Sequence, residues 1–178
     1  MAVKFFSAPV SPKSKILLFD IGLVLGMLMQ SKCKHVVTGM FGDSWKIINM
    51  PSGNVLANAY EYYRREGEVG YSTNGYKVID DLLYRKVKMD KILMFTDCQM
   101  WNSEDTKSTI GRSWIAYKAF APEARLYLFD LAGLGQAPLR MAESDVMLIA
   151  GWSDKVFDVL HAIESGEGVV EKIKAIEL

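Results

Sequence analysis

Lys91-Ile92-Leu93-Met94-Phe95-Thr96 is an unbroken apolar run that ends at a carboxylate, Asp97. Its residues do not alternate between apolar and polar, so both faces of the segment must be covered. That is the pattern of a strand in a parallel sheet with helices on either side. Two runs of the same kind follow: Arg125-Leu126-Tyr127-Leu128-Phe129, closed by Asp130, and Asp145-Val146-Met147-Leu148-Ile149-Ala150, closed by Gly151-Trp152. A helix over about 106–120 separates the first two, with Ile110, Trp114 and Tyr117 at threes and fours and a stop before Pro122. Ser153 is a good N-cap for a closing helix, with Asp154 in its positive first turn, and Gly166 and Gly168 lead into a short terminal helix. Strand and helix alternate with connections long enough for crossovers, which predicts a mostly parallel α/β sheet.

The first half reads less regularly. The spacing of Lys15, Gly22, Gly26 and Gln30 predicts a helix over 14–30, apolar over most of its circumference and therefore interior. Gly22 and Gly26 would let a neighbour approach closely, whereas Asp20 needs a buried partner or a place at the helix edge. His35-Val36-Val37-Thr38 and Trp45-Lys46-Ile47-Ile48 read as strands, with Phe41-Gly42-Asp43 turning between them. Helices are expected over 54–66 and 74–88, the second with Asp80 and Asp81 outward.

The chain has 178 residues, enough for one domain, 1–178, with a core that needs neither disulfide nor metal. Its 21 basic and 21 acidic residues cancel, so nucleic acid would have to be met by a local patch. Cys33 and Cys98 form no CxxC pair and, with His35 and His161, lack zinc spacing; a reduced, cytoplasmic setting is expected. The apolar stretch 16–29 is too short for a bilayer and carries Asp20, so no membrane partner is expected.

Acids and hydroxyls at the carboxyl ends of parallel strands are where such sheets take ligands. Asp97, Asp130 and Trp152-Ser153 hold those places, although acids there commonly cap the next element or face water. Cys98 beside Asp97 lacks a histidine placed to activate it and reads as small apolar packing. Gly133-Leu134-Gly135 lacks the third glycine of a dinucleotide loop. Tyr60-Glu61-Tyr62-Tyr63-Arg64-Arg65 interleaves aromatic and basic groups as a base-stacking surface would, but on a helix these residues spread around the cylinder among acids.

Several segments together resemble one family. Phe95-Thr96-Asp97-Cys98-Gln99-Met100-Trp101 is similar to the FTD segment of the von Willebrand factor A domain in TROVE (Ro) proteins. The loop 66–75 resembles that family's loop before its third helix, 148–157 its last strand and following helix, and 7–12 the stretch after its first metal-binding motif. The resemblance covers nearly the whole chain and is nearest to bacterial or phage members. It implies a three-layer, Rossmann-like von Willebrand factor A domain, non-catalytic, in a ribonucleoprotein that takes part in binding small noncoding RNA. The helical-repeat ring that precedes this domain in the family has no counterpart in the sequence.

The family's metal site, MIDAS, uses DxSxS after the first strand, a threonine from a second loop and an aspartate from a third. By resemblance the threonine is Thr73 and the aspartate Asp97. DxSxS has no match: counted back from Ser7 its places fall on 1–5, which hold no carboxylate or hydroxyl, Asp20 begins no such motif, and Ser7 and Ser11 are four apart. Magnesium sheds water reluctantly, so the expectation is no cofactor, or magnesium weakly held by Thr73 and Asp97. The same gap falls on the central strand, which is either replaced in part by 2–6 or missing, leaving edges that invite a strand from another protein. Such a chain reads as a fragment, a split protein or a degenerate version. The alternative to RNA binding is therefore a protein-interaction module that docks a partner's strand or acidic residue, with no nucleic acid.

Overall fold

The computed structural model describes residues 2–3, 8–51, 53–96, 109–133, 145–153 and 155–165. The strands are β1 (Ala2–Val3), β2 (Gly39–Phe41), β3 (Trp45–Ile47), β4 (Lys91–Thr96), β5 (Arg125–Asp130) and β6 (Val146–Ala150). The helices are α1 (Leu18–Lys32), α2 (Val55–Tyr63), α3 (Tyr76–Tyr84), α4 (Ile110–Phe120) and α5 (Val156–Ser165). The strands form one sheet in the order β3-β2-β1-β4-β5-β6, parallel throughout except for β3, which closes one edge antiparallel to β2.

The central strand is replaced rather than missing. The described part of β1 pairs on both sides: Ala2 stands opposite Gly39 and Met94, Val3 opposite Met40 and Phe95. Ala2 is fully buried.

Period-two alternation along β4 and β5 sends side chains to two separate cores. Phe95, Tyr127 and Phe129 pack under α1, α2 and α5 with Phe19, Leu23, Met27, Tyr62 and Leu160. Ile92, Met94, Leu126 and Leu128 pack under α3 and α4 with Ile79, Leu82, Trp114 and Tyr117. Phe95 and Phe129 stack across the β4–β5 ladder, ring centres 4.5 Å apart. On the other face the Tyr117 hydroxyl accepts from the Met89 N–H at 2.8 Å and donates to the Val87 carbonyl at 2.9 Å, which pins the α3–β4 connection. Burial pushes the phenols of Tyr62, Tyr117 and Tyr127 up from their ordinary range.

Three segments differ from the expectation, each for a reason visible in its contacts. The first β-run lies at Gly39–Phe41, not at 35–38, because only glycine fits beneath the Trp45 ring, where a Cβ would collide with that ring and with the Lys46 carbonyl. Helix α1 begins at Leu18 rather than Ser14. Residues 8–17 form their own turn instead, with Leu18 N–H donating to the Ala8 carbonyl at 2.9 Å and Val10 N–H to the Ile16 carbonyl at 2.9 Å. Asp20 then lies in the first turn, and its carboxylate accepts from the Leu17 N–H at 2.9 Å, so the acid is a helix-end partner. Asp81, expected outward, accepts from the Trp45 indole at 3.0 Å and ties α3 to the edge strand. The terminal helix expected after Gly168 and the start of the helix expected at 106 lie outside the described residues.

An Ala2→Asp substitution would place a carboxylate with no partner at the centre of the sheet. It is expected to cost at least about 3 kcal/mol, read as a lowered midpoint in urea unfolding. Ala2→Gly should cost only about 1 kcal/mol.

Candidate functional site

All the parallel strands end at one rim, and the segments read as ligand-bearing gather there. Thr96 and Asp130 close β4 and β5 in register, and both are fully buried. The Thr96 carbonyl accepts from Leu131 N–H at 2.9 Å, and the Asp130 carbonyl accepts from Gly151 N–H at 2.7 Å and Gly133 N–H at 3.1 Å. Asp130 is therefore part of the sheet edge, and it does not face water. Trp152 and Ser153 are exposed after β6, and the Ser153 hydroxyl accepts from the Lys155 N–H at 3.1 Å at the start of α5.

The loop that carries Thr73 stands at the same rim because the β2–β3 turn grips it. Ser44 N–H donates to the Val69 carbonyl at 3.0 Å, Ser72 N–H to the Asp43 carboxylate at 3.2 Å, and the Lys77 ammonium to the Asp43 carbonyl at 2.5 Å. From β3, Lys46 pairs with Glu68 at 2.6 Å, and that hydrogen bond holds the Glu68 carboxyl below its usual range. Gly42 is buried against the Val69 and Gly70 carbonyls, and Gly70 has φ +74° beside the Asp43 carboxylate. Thr73 is half-buried, and its carbonyl accepts from Gly75 N–H at 2.9 Å. Asp97 and Cys98 lie outside the described residues, so the rim is described on the β4 side only as far as Thr96.

Asp43 was not among the residues singled out in the sequence. The signal for it was its place in the 41–43 turn, read there only as a chain reversal.

The sequence offers few of the donors a magnesium site needs. No Asp or Glu occurs between Val3 and Asp20, so the inner carboxylate that would follow the central strand has no source there. Asp20 is already turned to its own helix end. Magnesium needs several hard oxygens in near-octahedral array, and one threonine with one aspartate falls short. Among the described residues no group of three or more His, Cys, Asp or Glu side chains is placed to hold a metal.

The aromatic-basic stretch of α2 does not form a stacking stripe. Tyr62 is buried in the core while Tyr60 and Tyr63 are exposed. Arg65 pairs with Glu61 at 2.9 Å and approaches Glu68 at 3.6 Å, and Arg64 approaches Glu61 at 3.6 Å.

A mostly parallel sheet in the order 3-2-1-4-5-6 with helices on both faces is a Rossmann-like, three-layer arrangement, here of the von Willebrand factor A kind. Among solved structures, the Ro (RSR) protein of Deinococcus radiodurans shares this fold with a TM-score of 0.70 over 93% of the chain, at 12% sequence identity. The chain spans 34% of that protein's length. No family model and no curated protein matches it. At this identity the fold is what the two share: a Ro-like von Willebrand factor A domain.

Two measurements probe the rim. Calorimetric titration with magnesium should show no saturable micromolar binding; a saturable signal lost in Thr73→Ala or Asp97→Ala would reverse the assignment. Gly42→Ala would force its Cβ against the Val69 and Gly70 carbonyls and should lower stability by about 1–3 kcal/mol, read as a fall in Tm.

Proposed function

We propose that this chain acts as the non-catalytic von Willebrand factor A-type part of a Ro-type ribonucleoprotein in the cytoplasm, and that it takes part in binding small noncoding RNA. The observation that carries the reading is the fold likeness to the Deinococcus radiodurans Ro protein over 93% of this chain. The resemblance of 66–75, 95–101 and 148–157 to the family's loops points the same way. A non-catalytic role fits the chemistry of the rim. Thr96 and Asp130 are buried in the sheet edge, and Asp43 is engaged in holding a loop. The remnant pair Thr73 and Asp97 enters this reading as a weak or vanished metal site. A partner's carboxylate docking at that rim, with no nucleic acid involved, is the competing reading.

With a formal net charge of zero, RNA must be met by a few local basic groups. Three or four phosphate contacts predict an affinity that falls about 40- to 150-fold between 50 and 200 mM salt. Mobility shift with structured small RNAs over that range tests it. A complex with such a slope supports the reading. No complex at 50 mM salt, or one indifferent to salt, sinks it in favour of the protein-docking alternative.

A further inference from the structure

Helix α3 ends in a turn that favours glycine, and a lysine occupies it. Two backbone bonds close the turn, Val87 N–H to the Leu82 carbonyl at 2.9 Å and Lys86 N–H to the Leu83 carbonyl at 3.1 Å. This pair of bonds sets the residue after the helix cap in the left-handed region, where glycine is the usual occupant. Here it is Lys86, with φ 54°, the one non-glycine residue of positive φ among the described residues. A Cβ in that conformation crowds the following carbonyl, so lysine is less stable there than glycine. The Lys86 side chain is exposed, and it is paired with no carboxylate among the described residues. Nothing it touches there offsets the cost of its backbone.

The surroundings are basic as well. Lys88, two residues on, borders one cavity at the amino-end rim of the sheet together with Lys32, Lys34, Asp90 and Lys91. Arg85 is held by Asp81 at 2.8 Å and Lys91 by Glu164 at 2.6 Å. Lys32, Lys34, Lys86 and Lys88 are thereby left with Asp90 as the acid beside them, and all four are exposed. Part of that charge has a structural use. Helices α1 and α3 both end at this rim, each with about half a negative charge, and Lys32 lies in the last turn of α1. Asp90 and the two helix ends together offset about two charges, so a positive surface remains. The Lys88 ammonium stands over the Phe120 ring, 5.2 Å from its centre, which orients it without an acid. Tyr84, 87% exposed, lies two residues before Lys86.

We propose that Lys32, Lys34, Lys86 and Lys88 are the phosphate-contacting surface through which this chain meets RNA, with the Tyr84 ring taking an unpaired base. The site deepens the RNA reading above and rests on it. A lysine ammonium is a point charge on a flexible stem, suited to phosphates along a backbone of variable shape. An exposed aromatic ring among such charges adds stacking, which a bare polyanion cannot use. A phosphate contact also gives Lys86 a reason to stand where glycine would be more stable.

Fluorescence anisotropy with a labelled structured small RNA at 50 mM salt compares the full chain with three variants. Lys86→Gly is expected to raise Tm and to weaken RNA binding about tenfold, opposite signs that a lysine serving the fold alone would not give. Lys34→Gln/Lys88→Gln should weaken binding about 100-fold and lower the slope of log affinity against log salt by about two. Lys13→Gln/Lys15→Gln, two exposed lysines in the turn before α1, should leave affinity within about twofold. A chain that binds RNA but is indifferent to Lys86→Gly and to the Lys34/Lys88 variant would overturn the site and leave the RNA reading standing. No complex with the unsubstituted chain would end both. A loss as large in the Lys13/Lys15 variant would also overturn the site, and equal affinity for an inorganic polyphosphate would mark it as a general polyanion surface instead.

Discussion

β1 holds the sheet together. It is the strand between the β2–β3 hairpin and the β4–β5–β6 ladder, and its described part is Ala2–Val3. A two-stranded hairpin of three-residue strands is marginal alone in water. β2 and β3 therefore depend on β1 for a place in the sheet, and the loop carrying Thr73 depends in turn on the turn between them. Packing adds to the ladder. Ala2 is buried among Phe41, Ile79 and Met94 in one core. Across the sheet, α1 lies close over β4, with Gly22 set against Phe95 and the Leu131 side chain. A larger residue at position 22 would lift the helix from the strand, which gives that glycine a reason independent of helix propensity.

The rim shows how a sheet edge can be ordered by backbone contacts. Its order comes from peptide groups: Val69 to Ser44, Thr96 to Leu131, Asp130 to Gly151. Asp43 joins two segments through a carboxylate on one backbone N–H and a carbonyl on one ammonium. Groups so engaged are poor metal ligands, because binding an ion would mean giving up the bonds that shape the loop.

The sequence was most legible where burial is two-sided. The three apolar runs from 91, 125 and 145 are strands in the expected places, because no other element buries both faces of so short a segment. The hairpin was legible in kind but shifted in register. Val36 and Val37 look more strand-like than Gly39, and what decides the matter is a Trp45 ring several residues away, which no local propensity carries. The central strand could be anticipated only as a question. Two small residues have no periodicity, and their role comes entirely from the neighbours on each side. At the candidate site, the sequence put Asp130 at a strand end correctly but could not tell a buried edge residue from a presented one. It missed Asp43 because a turn acid is usually solvated, and only the folded loop shows what it holds.

Likeness of fold and likeness of chemistry separate in this molecule. The three-layer frame is shared with a Ro protein at 12% identity, which is too little to carry over individual side chains. In an open parallel sheet the carboxyl rim is the ordinary place for ligands, because strand ends and helix starts converge there. Here the described ends of β4 and β5 at that rim carry backbone bonds and buried side chains. The opposite end has the converse character. Lys91 and Leu93 turn their peptide groups toward the β1 side, and lysines outnumber acids around the cavity there.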